Sequence, residues 1–224
     1  MLGRQQRFLQ VISLYHGECL EIMATLPEAC VDMILCDLPY GTTACAWDTI
    51  IPFNQLWEQY HRICKKKAAM VFTAQNPFTT VLVSSNLSNL QYNWAWIKNQ
   101  PTGFLNANKM PLKNVEDVVA FWREDPTYNE QPGASSVLRI DCERGLHPTQ
   151  KPVALMEYFI RTFTNAGETV LDNTMGSGTT GVACQNLGRD FIGIEFDPEM
   201  YATAVARIAL GRTVGHERIA EIGN

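Results

Sequence analysis

No stretch of this chain approaches the ~18 consecutive apolar residues that a membrane-spanning helix needs. The N-terminal Met-Leu-Gly-Arg-Gln-Gln-Arg lacks the apolar core of a secretory signal, so a cytoplasmic protein with no membrane partner is expected. Cysteine is present seven times, an odd number, with no Cys-x-x-Cys pair. That argues against both a disulfide framework and a zinc site, and leaves reduced, buried thiols. No His/Cys/Asp/Glu cluster with metal-ligand spacing appears, and no metal requirement is expected. Internal repeats and low-complexity tracts are absent too. Positive charge is scarce: 18 Lys and Arg stand against 23 Asp and Glu, for a net charge of −5. Nucleic-acid-binding domains usually carry a basic footprint, so any such contact here must be local.

What is present is an ordinary globular balance, 46% hydrophobic and 18% charged over 224 residues. That length suits one domain, with or without an insertion. Short apolar runs alternate with segments of helical spacing. Strands are expected at 11–15, 31–36, 68–73, 92–97, 118–122, 168–171 and 190–194, and helices at 19–26, 52–64, 77–85, 152–165, 178–187 and 198–210. Seven strands interleaved with helices predict a doubly wound α/β fold with a mostly parallel sheet. Residues 98–114 read as a long polar loop with three lysines and no acid, and 125–145 as a turn-rich stretch. Lys65, Lys66 and Lys67 read as the solvated end of a helix. Trp94, Trp96 and Trp122 suit a core, while Trp47 lies in a loop near Tyr40.

The run Val31-Asp-Met-Ile-Leu-Cys-Asp37 has the continuous apolar character of an inner parallel strand, and it stops at Asp37 before Leu38-Pro39-Tyr40-Gly41. In open α/β sheets, ligands sit beyond the carboxyl ends of the strands. Asp37 to Tyr40 offer a carboxylate, carbonyls stiffened by a proline, and a flat aromatic face. A carboxylate and a carbonyl together can accept both hydrogens of an exocyclic amine. That turns its lone pair out of conjugation with the ring and makes the nitrogen a better nucleophile. The aromatic face can stack on the ring that carries the amine. A plain strand-to-turn junction is the competing reading.

A second constellation is Val170-Leu-Asp172-Asn-Thr-Met-Gly176-Ser177-Gly178-Thr179-Thr-Gly181, a strand, a glycine turn and a helix start. Ile192-Gly-Ile-Glu195 follows about twenty residues on, with a carboxylate at the end of the next strand, where the two hydroxyls of a ribose can be held. Gly176 to Gly181 satisfy G-x-G-x-x-G, so a dinucleotide is one candidate ligand. S-adenosylmethionine is the other and is preferred, because Asp172 at the strand end repels a pyrophosphate and welcomes an ammonium. Between the two constellations lies His147-Pro-Thr-Gln-Lys-Pro152, where Thr149, Gln150 and Lys151 supply donors for a carboxylate such as the methionine end of that cofactor.

Asp-Leu-Pro-Tyr, His-Pro-Thr-Gln-Lys-Pro and Asp-Asn-Thr-Met-Gly-Ser-Gly with Ile-Gly-Ile-Glu, in this order, resemble the beta group of amino-methylating DNA methyltransferases. Compact forms of that group occur in phages and restriction–modification systems. The cofactor glycines follow the catalytic tetrapeptide, as in that permuted group. The resemblance implies a Rossmann-like methyltransferase fold that uses S-adenosylmethionine and acts on a target base flipped out of DNA. By it, Asp37, Leu38, Pro39 and Tyr40 are catalytic. Glu18, Asp37, Thr149, Lys151, Asp172, Gly176, Ser177, Gly178, Thr179 and Glu195 hold cofactor. Residues 98–146, the least matched part, are expected to form an inserted target-recognition region, with Lys98, Lys109 and Lys113 as candidates for DNA phosphate contacts and a solvated loop as the competing reading. A homodimer is also implied. The chain departs from the family pattern at Leu38, where the family has Pro, and at Asn173-Thr174, where it has Pro-Phe. N6-adenine is the expected target. N4-cytosine, a glutamine or RNA methyltransferase of other motif order, and a non-catalytic DNA-binding relative are the alternatives. The Pro-Cys pair of carbon-5 cytosine enzymes is absent.

Overall fold

A computed structural model describes residues 10–41, 49–143 and 150–220, and all side chains of these except those of Asn106 and residues 212–220. Strands and helices alternate as β1 (Ile12–His16), α1 (Cys19–Thr25), β2 (Val31–Asp37), α2 (Phe53–Ile63), β3 (Cys64–Ala74), α3 (Phe78–Ser85), β4 (Leu90–Thr102), β5 (Lys113–Phe121), β6 (Val137–Arg139), α4 (Val153–Phe163), β7 (Thr169–Asp172), α5 (Thr179–Leu187), β8 (Asp190–Glu195) and α6 (Pro198–Ala220). The strands form one sheet in the order β1-β8-β7-β2-β3-β5-β4-β6. Only β5 runs against the others.

The mostly parallel doubly wound sheet agrees with the expectation. The strand number does not: eight strands, not seven, are present among the described residues. The additional one, β6, is three residues long and pairs with β4 at the sheet edge, inside the stretch expected to be irregular. The polar segment 98–114 is also only partly a loop. Its ends extend β4 to Thr102 and begin β5 at Lys113. Lysine and asparagine hide these strand ends from a reading based on apolar runs. Lys65 to Lys67 open β3 instead of closing a helix, and Lys65 pairs with Asp32 of β2 at 2.7 Å.

The sheet is buried on both faces, as its apolar strands require. Along β2, Ile34 and Cys36 join a core with α1, α2 and α3 through Met23, Leu56, Trp57, Tyr60, Phe78 and Leu82. The alternate residues Met33 and Leu35 join a second core with α4, α5 and α6 through Leu155, Phe159, Ile160, Ala183, Ala204 and Ile208. Trp94 and Trp96 belong to that second core, as expected of them. Each such large apolar side chain contributes about 1.5–3 kcal/mol on burial.

Connections leave the middle of the sheet in opposite directions. From β2 the chain passes through α2 to β3 on one side, and from β7 through α5 to β8 on the other. The crevice at the carboxyl ends of β2 and β7 is therefore the topological switch point where α/β sheets bind ligands. Asp37, Asp172 and Glu195 all end strands at this edge.

Close packing behind the crevice depends on one glycine. A Cβ on Gly193 of β8 would strike the Met175 sulfur and the Phe191 ring, both buried. Gly193→Ala is expected to lower stability by about 1–3 kcal/mol in urea denaturation. An unchanged midpoint would contradict this packing.

Candidate active site

Asp37 stands at the end of β2 with both carboxylate oxygens engaged. Oδ1 accepts from the Tyr40 hydroxyl at 2.7 Å and from the Thr73 hydroxyl at 2.5 Å. Oδ2 accepts from Lys151 Nζ at 2.6 Å. The Asp37 main-chain carbonyl accepts from the Thr174 hydroxyl at 3.1 Å. The residue is thus fixed from β2, β3, the turn after β7 and the segment before α4. Leu38 is 3% exposed and packs into the core, an apolar anchor where the family places a proline. The Tyr40 ring stacks on Phe78 with centroids 4.9 Å apart and planes at 21°, so only its opposite face can serve an entering ring.

The other departures from the family pattern are absorbed locally. Asn173 Oδ1 accepts from the Tyr60 hydroxyl at 2.6 Å and from the Cys36 thiol at 3.0 Å, directly beneath Asp37. Thr174 makes the bond to Asp37 just described. Burial pushes the Cys36 thiol well above its usual range, so it is no thiolate nucleophile.

Lys151 lies in a chain of alternating charge. Its Nζ is 2.6 Å from Asp37 Oδ2 and 3.4 Å from Glu116 Oε2, and Glu116 Oε1 accepts from Lys98 Nζ at 2.7 Å. Burial alone pulls the Lys151 ammonium down, but Asp37, Tyr40 and Glu116 outweigh it and hold the group well above its usual range. Burial and the neighbouring Asp37 likewise push the Tyr40 phenol up, so it stays protonated and donates. Two expectations need correction here. Lys151 is committed to Asp37 rather than free for a cofactor carboxylate. Lys98, with 4% of its side chain exposed, is a buried ion-pair partner of Glu116 and not a phosphate contact.

On the β7/β8 side, Glu195 braces the glycine turn. Its Oε2 accepts from Gly176 N and its Oε1 from Asp197 N, both at 2.8 Å. Each oxygen keeps a further lone pair for a ligand hydroxyl. Gly176 has φ +52°, and a Cβ there would meet nothing within 4 Å, so the turn borders open space. Gly178 has a different reason for lacking a side chain: with φ +80° it lies against Ala204 of α6, whose Cβ would be 3.0 Å from its own. Glu18 caps α1 through Glu21 N at 2.8 Å, and Gly17 N bonds the Glu195 carbonyl at 3.0 Å, which brings Glu18 to the same rim. Ser177 and Thr179 depart from expectation. Both are buried, and their hydroxyls accept from Arg207 of α6 at 3.2 and 2.9 Å. Asp172 is 3% exposed and accepts from Thr180 Oγ1 at 2.7 Å and Thr174 N at 3.1 Å, so it organises the turn from beneath.

Residues 65–206 match the family model described as DNA methylase, which covers N6 and N4 methylases. The chain belongs to this DNA methylase family. Among similar proteins, the type II methyltransferase M2.DpnII of Streptococcus pneumoniae is 27% identical, over 87% of this chain and 88% of its own. The DNA adenine methyltransferase YhdJ of Escherichia coli K12 is 26% identical, over 94% and 87%. The crystal structure of M1.HpyAVI with S-adenosylmethionine superposes with TM-score 0.70 at 30% identity, covering 88% of this chain and all of that one. The cytosine-N4-specific PvuII methyltransferase shares the fold, with TM-score 0.74 at 18% identity, over 88% of this chain and 86% of its own.

As a DNA methylase of this family the protein uses S-adenosylmethionine, and DNA is its substrate. The site suits that cofactor. Open space lies over Gly176, and the Glu195 carboxylate that braces this turn keeps acceptor capacity. Thr149, His147 and Trp47 lie outside the described residues. Thr73, Phe78, Glu116 and Arg207 were not foreseen. No motif marks them, and they reach the site through strand pairing and helix packing. Among the described residues no helix is long and apolar enough to cross a membrane.

Burial raises the Asp172 carboxyl from its ordinary 3.8 to about 7. The buried charge therefore costs nothing below about pH 4, where both folded and unfolded forms are protonated, and its full cost is reached above about pH 7. Asp172→Asn should accordingly gain stability relative to the parent as pH rises from 4 to 8. Thermal midpoints of the ligand-free proteins at several pH values would show it, and a pH-independent difference would contradict it.

Proposed function

We propose that this protein transfers a methyl group from S-adenosylmethionine to the N6 amine of adenine in DNA. The observation that carries the reading is Asp37, a carboxylate held by Tyr40 and Thr73 at the switch point with Oδ2 toward Lys151. The cofactor supplies an electrophilic methyl on a sulfonium. Asp37 Oδ2 and the Leu38 carbonyl accept the two amine hydrogens and turn the nitrogen lone pair toward that methyl. With the cofactor bound, the nitrogen would take its methyl as the sulfonium leaves as a thioether, and Asp37 would receive the amine proton along that hydrogen bond. Positioning and charge complementarity carry the rate.

The target adenine reaches this site by leaving the duplex, which costs a few kcal/mol. Stacking on the face of Tyr40 away from Phe78 would return on the order of 1–3 kcal/mol. Aspartate at this position, where cytosine-N4 relatives often carry serine, favours adenine, as does the similarity to an enzyme named as an adenine methyltransferase. N4-cytosine remains the second reading, favoured by the shared PvuII fold.

DNA contact is assigned to the β4–β5 hairpin within the target-recognition region, 98–146. Asp37 pairs with Thr73 of β3, and Thr73 with Val118 of β5, whereas β5 begins at Lys113. At ~3.3 Å per residue the hairpin stands roughly 15 Å beyond the level of Asp37, on the substrate side. Lys109 and Lys113 are exposed there, as are Phe104, Leu105 and Met110. A homodimer and a cytoplasmic location complete the reading.

Asp37→Ala should lower transfer by about 10²-fold or more, a loss that persists at saturating cofactor. A variant that still methylates DNA at the parent rate would remove Asp37 from the chemistry. Lys109→Ala and Lys113→Ala should each weaken DNA binding regardless of sequence and reduce the salt dependence, log K against log [salt], by about one unit of slope. Unchanged slopes would place the DNA elsewhere.

A further inference from the structure

The buried charge chain raises a problem that the proposed chemistry must solve. Asp37 Oδ1 already accepts two hydroxyl hydrogens, so an entering amine must use Oδ2. That oxygen holds the Lys151 ammonium at 2.6 Å. An ammonium there weakens the carboxylate as an acceptor. It also stands close to the amine nitrogen, which becomes positive as the methyl arrives, and like charges repel strongly at such range in a dry site. Lys151 has 11% of its side chain exposed, so it cannot simply release Asp37 into water.

The structure holds a second acceptor for it. Glu116 Oε2 is buried, lies 3.4 Å from Lys151 Nζ, and has no hydrogen-bond partner among the described residues. A buried carboxylate oxygen without a donor is costly unless it is used in another state. The other oxygen of Glu116 is held by Lys98 at 2.7 Å, which fixes the carboxylate in place. A charge-assisted N–H···O bond closes at about 2.8 Å, so a shift on the order of half an ångström makes the Glu116 bond, and a further side-chain rotation toward Glu116 carries Nζ clear of Oδ2.

We propose that Glu116 is a positioning residue that takes Lys151 off Asp37 when the target base enters, freeing Asp37 Oδ2 for the amine. In the resting protein Lys151 neutralises Asp37. In the loaded protein it keeps Glu116 alone, and the ion pair with Asp37 gives way to the hydrogen bond from the amine. Lys98 serves as the fixed end of the chain. The inference rests on the proposed reading that Asp37 receives an amine.

The test uses four full-length proteins: the parent, Glu116→Gln, Lys151→Met, and the double variant. Each is mixed with methyl-labelled S-adenosylmethionine and unmethylated plasmid DNA in single-turnover experiments, with cofactor affinity and thermal midpoint measured alongside. In Glu116→Gln the ammonium stays on Asp37, and the transfer rate should fall about tenfold or more because the competent fraction falls, with cofactor affinity unchanged. Adding Lys151→Met removes the blocking ammonium, so the double variant should be faster than Glu116→Gln alone. A merely structural role for Glu116 predicts the opposite, a double variant as slow as or slower than the single one. That result, or a Glu116→Gln variant that works at the parent rate, overturns the proposal. Should Glu116→Gln fail to fold because Lys98 loses its partner, Glu116→Gln with Lys98→Met carries the same expectation. A parent protein that labels no DNA overturns the functional reading itself, and this inference with it.

Discussion

Strand β2 is hydrogen-bonded to β7 on one side and to β3 on the other, and the chain leaves this pair of neighbours in opposite directions. Every feature of the site follows from that constraint. It sets Asp37 beside the glycine turn that follows Asp172, opens a crevice where the two crossover helices diverge, and brings Thr73 of β3 within reach of the Asp37 carboxylate. Because both faces of the sheet are covered, the strand ends meet the site as rigid posts and not as loops. A carboxylate placed on such a post needs little reorganisation when substrate arrives, which is how a site that works by positioning can be effective.

Burial of charge is the second organising theme. Asp37, Lys151, Glu116 and Lys98 alternate in sign across the boundary between the parallel strands and the β4–β5 hairpin. A buried charge is tolerable only when paired, and this chain pairs all four while leaving one oxygen of Glu116 unbonded. Asp172 shows the other solution. It lies beneath the glycine turn, makes two hydrogen bonds, and lowers the cost of burial by taking up a proton near neutrality. Through those bonds it shapes the turn that Glu195 braces at Gly176.

Much of this was legible in the sequence, for identifiable reasons. The β2 run ending at Asp37 is visible because a strand buried on both faces is continuously apolar. The glycine turn with Glu195 is visible because its spacing is set by one strand–helix–strand unit. What was not legible depends on which strands lie side by side. Thr73 and Glu116 enter the site through β3 and β5, and no local pattern announces that pairing. Lys98 looked like a surface charge because its counter-ion is 18 residues away on the next strand. Ser177 and Thr179 looked like ligand donors, yet the packing of α6 turns their hydroxyls toward Arg207.

The central claim is that Asp37 and its neighbours present an adenine amine to the methyl group of the cofactor. The most direct measurement is incubation of the protein with methyl-labelled S-adenosylmethionine and unmethylated duplex DNA, followed by nucleoside digestion and mass spectrometry. The account predicts label in N6-methyldeoxyadenosine. Label in N4-methyldeoxycytidine, or in no nucleoside while the cofactor still binds, would contradict it.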